Sequence, residues 1–190
     1  MARRYDPERR QRIIDAAIRV VGAKGIGGLS HRSVAAEADV PLGSTTYHFK
    51  TLDELLTAAL RQSNEGFAKV MAASDVFEDA AAGPADLARG LARVLGEWFA
   101  GERSGVELEY ELYLAALRRP ALRPVAAEWC AGLTDVLELR TDPVTARALV
   151  ALMDGISLQV LLTGGEYDEE YAREVLGRLL VSDAPPNGPR

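Results

Sequence analysis

The stretch that decides the fold is Leu29 to Phe49, LSHRSVAAEADVPLGSTTYHF. Ser30 is a good helix N-cap, because its hydroxyl can accept from a free backbone N–H of the first turn. Val34, Ala35 and Ala38 follow at i, i+1 and i+4 and give that helix one small apolar stripe. Asp39 is a residue type that tolerates the left-handed conformation of a sharp turn, and Val40 is the buried plug expected just after it. Pro41 to His48 form a second short segment whose Ser, Thr, Tyr and His side chains suit phosphates and base edges. Two short helices at a steep angle, the second exposed and polar, are the layout of a helix-turn-helix reader.

Upstream, Asp6-Pro7 supplies an N-cap and a first-turn proline for a leading helix. Ile13, Ala17 and Val20, with Ile14, Ile18 and Val21 beside them, make an apolar face broad enough to floor the two reader helices. Gly25 ends this helix, and Gly27-Gly28 lead flexibly into Leu29. Arg3, Arg4, Arg9, Arg10 and Arg12 make a basic front end with two open readings: a solvated terminus, or an arm that touches the DNA backbone or minor groove. Downstream, Thr51 and Glu54 form a capping box, and the helix they start runs through Leu55, Leu56, Leu60, Phe67 and Met71 towards Ala73. At about 20 residues it would span some 30 Å, long enough to link a head to a body.

Beyond a loop over Ser74–Pro84, apolar stripes at helical spacing mark five further helices. They hold Leu87–Phe99, Val106–Leu117, Leu122–Leu137, Val144–Leu162 and about Asp168–Val181. The Val144–Leu162 segment is apolar nearly all round, as a helix buried on every side would be, in a large core or against another subunit. No stretch alternates with β-branched enrichment. The expected fold is all-α: an N-terminal three-helix head over residues 1–50, a body of about six helices over 51–182, and a disordered tail over 183–190.

Charge divides along the same line. The whole chain of 190 residues carries −6, but residues 1–50 hold +4 and the remainder −10. Nucleic-acid affinity follows local positive charge at the contact face, so a basic head and an acidic body suit a DNA binder whose body stays off the duplex. No uninterrupted apolar run approaches the 18 or so residues of a membrane span, and the lone Cys130 cannot form an internal disulfide, so a cytoplasmic chain is expected. Cys130 beside Trp129 reads as a core thiol ahead of a redox sensor. An enzyme is not expected: both histidines, His31 and His48, lie in the reader, and no Cys/His zinc cluster, Glu-x-x-His pair or phosphate-binding glycine loop occurs. No metal or cofactor is expected.

At Leu29-Ser30, Val34-Ala35, Asp39-Val40, Gly43-Ser44 and Tyr47-His48-Phe49, followed by Asp53-Glu54-Leu55-Leu56, the chain resembles the TetR family of bacterial transcriptional regulators. The resemblance covers roughly residues 8 to 60. Asp39 stands where the family's turn glycine is usual, Thr46 where its first aromatic is, and Leu52 where a lysine usually starts the next helix; the last two remove phosphate contacts. The resemblance implies a ligand-responsive regulator, most often a repressor, that binds a near-palindromic operator as a homodimer and releases it on binding a small molecule.

The helix-turn-helix geometry would bring Leu42, Ser44 and Thr45 near base edges, with Leu42 or the threonine methyl against a thymine methyl. Thr46, His48 and Lys50 would face phosphates, Tyr47 would stack on or bond to DNA by similarity to the family, and the Arg32 fork would match guanine O6 and N7. His48 as a buried capping histidine, and Arg32 as a solvated arginine, are the competing readings. In the body, Trp98, Tyr110, Tyr113, Leu114, Leu117, Trp129, Leu133 and Met153 are either a plain core or the lining of an apolar ligand pocket. Glu107 and Glu111 flank Tyr110, either solvated or turned in towards a cationic ligand. Leu149, Leu152, Ile156, Val160, Val175 and Leu179 are the expected dimer interface on the last two helices. The alternative function is an all-α protein-interaction module without sequence-specific DNA binding.

Overall fold

The computed structural model describes residues 6–74, 83–101 and 103–181. The tail at 183–190, Arg3, Arg4 and the middle of the Ser74–Pro84 loop lie outside the described residues. Among the described residues there are nine α-helices, short 3-10 turns and no strand. The helices are α1 (Arg9–Lys24), α2 (His31–Glu37), α3 (Leu42–His48), α4 (Leu52–Ala73), α5 (Pro84–Ala100), α6 (Arg103–Leu114), α7 (Arg123–Leu137), α8 (Pro143–Thr163) and α9 (Glu169–Val181). Asp6 acts through a turn ahead of α1, its carboxylate accepting from the Glu8 N–H, and the helix begins two residues later than the Asp-Pro pair suggests. Asp142 caps α8, accepting from the N–H groups of Val144 and Thr145.

The chain packs into two compact units. The first comprises residues 1–65 and 104–127, so it takes in α1 to α3, the start of α4, most of α6, the 3-10 turns at Ala115–Leu117 and Pro120–Leu122, and the first residues of α7. Ile13, Val21, Val34, Phe49, Leu55 and Leu60 form its core together with Leu108, Leu112, Leu122 and Val125. These packing units cut the chain differently from a boundary at residue 50, because four of those core residues come from α6, the turn after it and α7.

The second unit comprises residues 66–103 and 128–190. Leu87, Leu91, Val94 and Leu95 of α5 are buried with Leu149, Val150, Met153 and Ile156 of α8 and Ala172, Leu176 and Leu180 of α9. An aromatic series runs through it: Phe67 meets Trp98 and Trp129 edge-on at 4.8 and 5.4 Å, and Phe99 stacks on Tyr167 at 5.3 Å. The Tyr167 hydroxyl donates to the Ala92 carbonyl at 2.6 Å. Burial, then the carboxylates of Glu169 and Asp168, push the Tyr167 hydroxyl pKa well above its ordinary value.

Within the protomer α8 is buried on one face only: Val144 and Leu162 are exposed and Leu152, Leu158 and Val160 half-buried, so the expected core burial accounts for part of its apolar surface. By length and composition it is also long and apolar enough to cross a membrane, which Arg147 and Asp154 concealed from a search for uninterrupted apolar runs. Its buried face belongs to the core of the second unit.

Candidate nucleic-acid interface

The α2–turn–α3 segment is built from local hydrogen bonds. The Ser30 hydroxyl accepts from the Ser33 N–H at 3.0 Å, and the Ser33 hydroxyl accepts from the Ser30 N–H at 2.9 Å, a reciprocal cap that starts α2. Asp39 adopts φ 50°, the one non-glycine residue at positive φ among the described residues, so it takes the turn role that glycine fills more easily. The Val40 N–H then bonds the Ala35 carbonyl at 3.0 Å and the chain enters α3 through Pro41. At the far end the Thr51 hydroxyl accepts from the Glu54 N–H at 3.1 Å, while the Glu54 carboxylate reaches one residue further back than a simple capping box, to the Lys50 N–H at 2.8 Å.

The register of α3 sorts the expected contact residues. Leu42, Gly43, Thr46 and Tyr47 lie at i, i+1, i+4 and i+5 and are exposed, Tyr47 at 81%, as is Lys50 two residues beyond the helix. Ser44 and Thr45 turn away from them and are buried, Thr45 completely, as is Phe49 just past the helix end. The Thr45 hydroxyl is spent internally, donating to the Leu42 carbonyl at 2.8 Å. Those two residues are therefore not base readers; they are the small polar side chains that let α3 seat closely on the head. His48 is half-buried, its ring edge-on to Tyr47 at 5.2 Å.

The cations are distributed unevenly. Arg32 on α2 and Lys50 after α3 are exposed, and neither cationic group makes an ion pair among the described residues. Of the basic front end, Arg12 and Arg9 pair with Asp6 at 2.6 and 3.6 Å, and the Arg10 guanidinium lies 5.0 Å from the centre of the Phe49 ring. Arg19 pairs with Glu37 at 2.7 Å, tying α1 to α2.

The other candidate residues fall into two groups. Tyr110, buried, and Tyr113, half-buried, sit in the first unit with Leu114 and Leu117, both exposed; Leu117 at 72% is no wall of an enclosed pocket in that unit. Trp98, Trp129 and Leu133 are partly buried against the core of the second unit, where Met153 is buried. Sequence reasoning missed an open groove of about 530 Å³ in that unit, walled by Phe99 and Tyr167 and edged by Glu97, Glu166, Glu169 and Arg93. Of the expected dimer residues, Leu149 and Ile156 are buried in the core of their own unit, which removes them as interface residues; Leu152, Val160, Val175 and Leu179 stay partly exposed. Leu149 and Ile156 share the inward face of α8 with Met153, and a helix apolar on all sides offered no phase to reveal it. Glu111 is half-buried and accepts from the Ile26 N–H at 2.7 Å.

A two-helix reader with one exposed face of apolar, hydroxyl, aromatic and cationic groups defines a helix-turn-helix DNA-binding protein. Comparison with known proteins is more specific. Residues 13–59 match the family of bacterial regulatory proteins of the tetR type, and residues 82–182 match the tetracyclin repressor-like C-terminal domain. The multidrug binding protein EbrR, solved with imidazole, is 72% identical, with 96% of this chain and 99% of that one covered and a TM-score of 0.89. A TetR family member from Streptomyces coelicolor A3 is 75% identical over 92% of this chain and 99% of that one, with a TM-score of 0.84. The HTH-type transcriptional regulator BetI of Burkholderia cenocepacia (strain HI2424) is 28% identical, covering 92% of this chain and 95% of that protein. The chain belongs to the TetR family. It is a ligand-responsive, DNA-binding transcriptional regulator.

Proposed function

We propose that the chain is a cytoplasmic repressor that grips a near-palindromic operator as a homodimer through Arg32, Leu42, Thr46, Tyr47, His48 and Lys50. The observation that carries this reading is that Leu42, Thr46 and Tyr47 on α3, and Lys50 just beyond it, are all exposed. Leu42 and the Thr46 methyl suit thymine methyls, the Arg32 fork suits guanine, and Lys50 suits a phosphate. Arg32→Ala and Tyr47→Ala should each cost about 1–3 kcal/mol in specific binding at fixed salt. Unchanged operator affinity in both would overturn the assignment.

Support for the dimer comes from α8 and α9. Val144, Ala148, Ala151, Gly155, Leu158 and Leu162 recur at spacings of four and three along α8, none of them fully buried, with small residues at the centre where a partner helix could approach closely. Tyr171, Val175 and Leu179 continue an apolar face on α9. Two-fold symmetry would set the two readers about one DNA turn apart, or a multiple of it.

For the effector, we take the class from the relatives. EbrR has been solved with ethidium, malachite green and proflavin, at 74–75% identity to this chain. These dyes are aromatic cations with delocalised charge. The second unit holds matching chemistry in the rings of Phe67, Trp98, Phe99, Trp129 and Tyr167 and in a groove edged by three carboxylates against one arginine. Release requires that the cation bind the DNA-free conformation better, with α4 carrying the displacement to the head. Ethidium should bind the full-length dimer and raise its operator dissociation constant; ethidium binding with no change in operator affinity would contradict the effector class.

A further inference from the structure

The head of this regulator is completed by a segment that sequence places far from it. Leu108, Leu112, Leu122 and Val125, from α6 to α7, are buried in one core with Ile13, Val21 and Leu55. Two polar contacts from the same segment bracket the reader. Glu111 of α6 accepts from the Ile26 N–H at 2.7 Å, at the joint where α1 ends and the chain turns towards Ser30 and α2. The fit is close: Gly25 has φ +67°, and a Cβ there would lie 3.2 Å from the same Glu111 oxygen. On the other side, the Arg119 guanidinium meets the Asp53 carboxylate at 2.6 Å in the first turn of α4, the helix that follows α3 after three residues.

We propose that Glu111 and Arg119 are positioning residues for DNA recognition: the α6–α7 segment fixes the reader where the chain enters α2 and where it leaves α3. Neither residue belongs to α2 or α3, so neither is needed as a DNA ligand. It follows that a change in α6 reaches the reader directly, without passing along α4. Glu111 matters more than the ion pair, because it satisfies a backbone donor, whereas Arg119 and Asp53 are each more than a third exposed and their pairing is screened by water. The proposal rests on the regulator reading above.

The test is operator affinity of the full-length chain by fluorescence anisotropy, across a salt series. Glu111→Ala should weaken binding about tenfold, the scale of one lost charge-assisted hydrogen bond. That direction is diagnostic, because removing a carboxylate would by charge alone strengthen binding to DNA. Glu111→Gln keeps an acceptor oxygen and should stay within about twofold of wild type. The charge-neutral pair Asp53→Asn with Arg119→Met should weaken binding about threefold. All three should keep the wild-type salt slope, because the number of phosphate contacts is unchanged. Wild-type affinity in Glu111→Ala, or equal losses in Glu111→Ala and Glu111→Gln, would overturn the proposal. Should Glu111→Ala fail to fold, Glu111→Gln and the neutral pair decide it by the same criteria. A wild-type chain that binds no duplex would instead remove the regulator reading beneath it.

Discussion

Leu112 provides the sharpest test of how the head is built. It lies on α6, inside the stretch that matches the C-terminal domain, yet it is completely buried in the core that also holds Ile13, Val34 and Phe49. Replacing it with Ala removes three carbons from a site with no exposure, a loss of transfer free energy plus a cavity term that together come to about 3 kcal/mol. With a denaturant slope of about 2 kcal/mol per molar urea, the unfolding midpoint should fall by about 1.5 M. Far-UV circular dichroism is the right probe, because both tryptophans, Trp98 and Trp129, belong to the other packing unit. Leu117→Ala is the matched control: the same substitution five residues on, at a side chain 72% exposed, should cost under about 0.5 kcal/mol. Equal midpoints for the two variants, or a Leu112→Ala chain within about 1 kcal/mol of wild type, would refute a head core that reaches into α6.

Asp39 holds φ 50° at the helix-turn-helix turn, so Asp39→Gly should be neutral or slightly stabilising, whereas Asp39→Val should cost about 1–2 kcal/mol, measured by thermal melts. Tyr167 donates to the Ala92 carbonyl, and Tyr167→Phe should cost about 1 kcal/mol near neutral pH. Because folding raises the Tyr167 pKa, its contribution is fully present below the unfolded value near 10 and is lost as pH climbs towards the higher folded value. Unfolding free energies should therefore fall less steeply above about pH 10 in Tyr167→Phe than in wild type; parallel curves would contradict the shift. Leu162 is 81% exposed, so Leu162→Asp should leave the protomer folded while sedimentation shows a monomer; a variant that still sediments as a dimer would reject the α8 seam.

The reader was legible because its signals are local. Ser30 and Asp39 act through bonds and dihedral angles within a few residues of themselves and do in the structure what their chemistry suggests, while Val40, expected as a buried plug, packs against the core only half-buried. Ser44 and Thr45 misled because small polar residues suit a DNA groove and a tight helix contact equally well, and both are buried. The phase of α8 was illegible for the opposite reason, apolar side chains on every face. Glu111 carried no usable signal at all. Its partner, Ile26, lies 85 residues away, and a carboxylate that caps a distant backbone N–H looks in sequence like any solvated helix residue.

The account stands or falls on whether the outward face of α3 meets DNA. The most direct measurement is the operator dissociation constant of the full-length protein over a series of salt concentrations, for wild type, Tyr47→Ala and Lys50→Ala. Specific binding that weakens linearly in log[salt], with Lys50→Ala shallower by about one unit of slope and Tyr47→Ala weaker at every salt concentration, is the expected result. Three superimposable lines, or no salt dependence in the wild type, would contradict it.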